Sequence, residues 1–120
     1  GELFNGKGKT DILVRVEDRN AFIGECKFWK GPAEFAKAID QLLGYVVWRD
    51  SKAALILFIT NKDATSVVSN AIQALSTHER HKRTIDSVDQ SMRSDFVFHA
   101  DGDREREIHL ALLPIVIPGE

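Results

Sequence analysis

The stretch AALILFI, Ala53 to Ile59, is apolar from end to end. A half-buried strand alternates, so an unbroken run predicts a strand covered on both faces, as in the parallel sheet of an α/β fold. Upstream, after Lys30-Gly31-Pro32, the residues Phe35, Ile39, Leu42 and Val46 recur at helical spacing, with Ala38 and Leu43 widening the stripe. Pro32 suits a first helical turn, where a missing N–H costs nothing. Residues 64–77 carry a second such stripe in Val67, Val68, Ala71, Ile72 and Leu75. Strand, helix, strand in this order makes a right-handed crossover.

Before the first helix, alternation places Ile12, Val14 and Val16 on one face of a strand and Asp11, Leu13, Arg15 and Glu17 on the other. Phe22, Gly24, Cys26 and Phe28 then make a second apolar face, opposite Ile23, Glu25 and Lys27. Asp18 to Asn20 is a suitable turn, because Asp and Asn bond their own backbone. With that turn, Val16 pairs with Phe22, Val14 with Gly24 and Ile12 with Cys26, all on the core side. Asp11 then stands opposite Lys27, and Leu13 opposite Glu25. Asp11 and Glu25 become diagonal neighbours, roughly 7 to 8 Å apart at the backbone, on a water-facing patch. Residues 1–9 read as a glycine and lysine loop, and 77–94 carry no clear pattern. DFVFHA and EIHLALLPIVI read as two last strands around Ala100 to Asp103, with Pro114 and Pro118 marking an edge or a strand end.

One domain suffices for 120 residues of which 43% are hydrophobic. With 16 basic against 18 acidic side chains the net charge is −2, so any attraction for a polyanion is local. A lone cysteine, Cys26, excludes an internal disulfide, and no apolar run approaches the roughly 18 residues of a membrane span. The expected compartment is a reducing cytoplasm, with no membrane partner. The chain opens GELFNGKGK, without Met, so residues 1–120 are expected to be one domain excised from something longer.

Two neighbouring carboxylates repel, and a divalent cation between them removes the conflict. Oxygen ligands with positions left for water fit Mg²⁺ or Mn²⁺, whereas zinc would call for cysteine or histidine spacing that the chain lacks. Lys27, two residues beyond Glu25, is placed to orient a metal-bound water or stabilise charge on a phosphoryl oxygen.

These residues give the chain its resemblance to a family. Thr10-Asp11 followed by Glu25-Cys26-Lys27 resembles the acidic residue and E-x-K of the PD-(D/E)XK nuclease superfamily, carried there on consecutive strands. Gln41 to Tyr45, QLLGY, is similar to the Q-x-x-x-Y element on the following helix in the branch that includes recombination and CRISPR-associated nucleases. The likeness covers residues 10–60; Thr10 replaces the nominal proline, and Glu2 is the one acid upstream of the loop. It implies a restriction endonuclease-like fold: an α/β three-layer sandwich with a central mixed β-sheet flanked by helices. It also implies a Mg²⁺-dependent nuclease of nucleic acid, with DNA favoured over RNA as the substrate. Asp11 and Glu25 would hold the metal with help from the Cys26 carbonyl, Lys27 would assist the attacking water, and Gln41 and Tyr45 would contribute to the site and to nucleic-acid contact. One site cuts one strand, so a homodimer would cut both.

The rival reading is an inactive module that keeps the fold and binds nucleic acid or protein. Trp29 and Trp48 read as packing residues, and Lys30, Lys37 and Arg49 as helix-flank charges. The basic cluster His78 to Arg83 reads as a solvated helix end. His78, His81, His99 and His109 have no metal spacing and receive no catalytic role.

Overall fold

The structure, a computed structural model, describes the backbone of residues 2–6, 9–16, 19–46 and 52–118, and side chains within 23–46 and 52–118. Among these residues the order is β1 (Glu2–Gly6), β2 (Lys9–Val16), β3 (Arg19–Phe28), α1 (Pro32–Tyr45), β4 (Lys52–Ile59), α2 (Ala64–Ser76), β5 (His81–Ile85), β6 (Ser94–Ala100) and β7 (Asp103–Val116). The strands form one mixed sheet in the order β1-β2-β3-β4-β7-β6-β5. Only β3, β4 and β7 run parallel to one another; the outer pairings are antiparallel.

Each helix begins where the sequence offers a start. Gly31, at φ 102, turns the chain after β3, and Pro32 opens α1. Only glycine takes such a φ without strain. Asp63 caps α2 by accepting a hydrogen bond from the Ser66 N–H at 3.1 Å. Gly102, at φ 75, makes the turn between β6 and β7.

The two helices touch each other and share a single core. From α1 it takes Phe35, Ile39 and Leu42, and from α2 Val67, Ala71 and Leu75. The sheet supplies alternate residues: Ala53, Leu55, Leu57 and Ile59 of β4, Ile108, Leu110 and Leu112 of β7, and Phe96, Phe98 and Ala100 of β6. Among the described residues, then, helices cover one face of the sheet. On the other face Ile56 and Phe58 are half-buried, so the apolar run of β4 is fully enclosed on one side only.

Several expectations change. Residues 2–6 are a strand, not loop, and residues 81–85 form an edge strand where no pattern was legible. Arg19 and Asn20 belong to β3 rather than to a turn, while Asp18 lies outside the described residues. Pro114 sits in β7 against Leu57 of β4, and β6 reaches only as far as Leu112, so β7 is itself an edge where the proline falls.

The hairpin register also differs. Val16 pairs with Arg19 and Arg15 with Asn20, after which the register shifts by one, so that Val14 pairs with Phe22 and Asp11 with Glu25. Ala21 is the extra residue, a β-bulge. Extended without it, the tight turn would set Asp11 opposite Gly24, on the wrong face for Glu25. The bulge restores the parity that brings the two acids together.

Candidate active site

Asp11 of β2 stands directly opposite Glu25 of β3, where the sequence suggested a diagonal relation and Lys27 as the partner. Directly paired residues are about 4.5 to 5.5 Å apart at Cα, closer than a diagonal. Glu25 is flanked on its other side by Leu55 of β4. The acid pair therefore sits where the hairpin joins the parallel core.

The face is the reverse of the expected one. Ile23 belongs to the core beneath the helices, and Glu25 and Lys27 share its side of the strand by alternation. Glu25 has no solvent exposure at all, while Lys27 is half-buried. Cys26, expected in the core, is half-exposed on the opposite face, and Phe28 beside it is 48% exposed. Alternation named two faces but not which one a helix would cover. The packing of α1 against β3 put the side with Ile23 under cover.

A carboxylate wholly removed from water stays ionised only if positive charge or hydrogen-bond donors balance it. A second acid at the paired position makes the demand greater. The donor set is all oxygen, which fits a hard divalent ion; Lys27 supplies positive charge two residues away on the same side. Among the described residues no three His, Cys, Asp or Glu side chains gather as a metal site.

Gln41 and Tyr45 lie on α1, the helix that follows β3 and packs against it. Both are exposed, Tyr45 by 43%, and they flank the buried stripe of Ala38 and Leu42. Trp29, half-buried, packs its ring 5.5 Å from that of Phe35 and serves the core. Trp48 and Arg49 fall outside the described residues. Lys37 pairs with Glu34 at 3.5 Å on the helix surface.

The basic cluster is largely spent inside the fold. Lys82 and Arg83 both reach Glu107, at 2.8 and 3.1 Å, because a second bulge, at Lys82, sets two successive side chains on one acid. Arg80 Nε donates to the His99 carbonyl at 3.0 Å. The Asp40–His78 pair, 2.8 Å apart, leaves no mark in the local pattern, since 38 residues separate the partners. Its imidazole Nδ1 accepts the Arg80 N–H at 3.1 Å, so both ring nitrogens are engaged and the pair ties α1 to the turn after α2.

No family model matches the chain, nor does any curated protein or solved structure. No helix among the described residues is long and apolar enough to cross a membrane.

Proposed function

We propose that the protein is a Mg²⁺-dependent nuclease that hydrolyses phosphodiester bonds of DNA, on a restriction endonuclease-like variant of the α/β fold. The single observation behind this reading is the register of Asp11 against Glu25, a carboxylate with no solvent exposure, with Lys27 on the same side of the strand. The succession of acid, E-x-K and Q-x-x-x-Y over β2, β3 and α1 also supports it.

In this reading Asp11 and Glu25 hold Mg²⁺ or Mn²⁺, with the backbone carbonyl of Cys26 as a further oxygen. The ion supplies Lewis-acid polarisation of the scissile phosphate and an acidified water. Lys27 orients that water or stabilises charge on a phosphoryl oxygen. Gln41 and Tyr45, one helical turn apart and exposed, contact the nucleic-acid backbone.

The second reading, a module that binds nucleic acid or protein without cutting, draws on the same burial: an acid closed off from water is poorly placed to meet a substrate. Incubation with supercoiled plasmid, and separately with single-stranded RNA, in Mg²⁺ or Mn²⁺ distinguishes the two. Nicking that falls by about a hundredfold or more in a folded Lys27→Ala variant supports the nuclease. Retention of plasmid on the protein without nicking supports the module.

A further inference from the structure

The face of the sheet away from the helices holds a cavity of about 360 Å³ between β4 and β7. Its shape follows from register. Ala54 and Ala111 are paired neighbours on the two strands, and the next pair on that face is Ile56 with Leu113. Two small side chains beside two large ones leave a hollow with an apolar floor. The pair on the other side is Lys52 with His109, and Arg93, just ahead of β6, closes the rim.

Among the described residues, all three titratable groups lining this hollow are basic, and no acid lines it. Asp95 is close by but engaged: Arg93 grips its carboxylate through Nε and a terminal nitrogen at 2.9 to 3.1 Å, and His109 Nε2 lies 2.8 Å from it. The Arg93 hydrogen bond, seconded by His109, holds the Asp95 carboxyl below its usual range. Asp95 thereby fixes two rim groups. Lys52 is exposed and makes no hydrogen bond or ion pair among the described residues, so its charge is uncommitted. An apolar floor with a few fixed polar groups, at the lower end of the size range of ligand cavities, describes a small-molecule site.

We propose that this hollow binds a small organic anion: a carboxylate, sulfonate or phosphate head, met by Lys52 and Arg93, on a flat apolar body that rests over Ala54 and Ala111. The site is on the opposite face from Glu25 and does not depend on the nuclease reading.

Fluorescence titration of the folded chain with anilinonaphthalene sulfonate, beside its uncharged analogue N-phenylnaphthylamine, tests it. The sulfonate binds saturably with one site per chain and more tightly than the neutral probe. Lys52→Glu weakens the sulfonate roughly tenfold and leaves the neutral probe within about twofold, because only the charged contact is removed. Lys52→Gln gives a smaller loss in the same direction, and circular dichroism with a thermal scan confirms that both variants fold. Non-saturating binding, equal affinity for the two probes, or a sulfonate affinity indifferent to Lys52→Glu overturns the proposal.

Discussion

Asp11 and Glu25 occupy paired positions on adjacent antiparallel strands, and the second of them is wholly buried. That relationship yields a prediction independent of any substrate. If these acids hold a divalent ion as proposed, Mn²⁺ should bind the folded chain and not the unfolded one, and so raise the unfolding temperature by about 10 °C at a hundredfold excess over its Kd. Glu25→Gln and Asp11→Asn each abolish the rise while remaining folded. A thermal scan with and without Mn²⁺ checks this, and an equal rise in all three proteins would remove the metal site.

Glu107 gives an acid-stability prediction. Hydrogen bonds from Arg83, then Lys82, lower its carboxyl from 4.5 to about 2. A carboxylate lowered on folding contributes stability that is complete above its unfolded value and is lost as pH falls towards the folded one. The loss therefore spans pH 4.5 down to about 2. Carbon-detected NMR titration should find Glu107 as an unusually acidic glutamate, and Glu107→Gln should reduce the slope of stability against pH in that window. High salt weakens the effect, since the group is 41% exposed.

His81 acts near neutrality. Burial, and secondarily the charge of His78, lower its imidazole below the usual 6.5. Its ring lies edge-on to Phe96 and Phe98, and Nε2 is 2.8 Å from Thr84 Oγ1. The unfolded chain then takes up the proton first, so stability is complete above pH 6.5 and declines as pH falls below it. Denaturant midpoints measured between neutral and mildly acidic pH should fall, and His81→Gln should flatten that fall.

Gly31 sets the start of the crossover. No atom would meet a Cβ added there, so the cost of Gly31→Ala is conformational, from φ 102. About 1 to 3 kcal/mol of destabilisation is expected, because with ψ at 165 the residue sits in a region that is essentially glycine-only. Urea unfolding reads it, and an unchanged midpoint would show that the turn relaxes freely.

Most of the element order was legible because it rests on local pattern. The stripes of Phe35, Ile39 and Leu42 and of Val67, Ala71 and Leu75 gave the two helices. The run from Ala53 to Ile59 gave the inner strand, and Gly102 gave the last turn. β5 was hidden because HKRTI has almost no apolar residues: Lys82 and Arg83 answer to Glu107, 25 and 24 residues further along the chain, rather than to a core.

For the candidate site, the sequence by itself determined that Asp11, Glu25 and Lys27 fall on consecutive strands and that Gln41 and Tyr45 follow on a helix. Alternation makes those assignments local. It could not determine the partner of Asp11, because one residue inserted at Ala21 changes the pairing and leaves no mark in composition. Nor could it say which face of β3 is buried: Ile23 on one side and Phe28 on the other are both apolar, and only the packing of α1 on β3 put Ile23 and Glu25 beneath the helices and left Phe28 half-exposed.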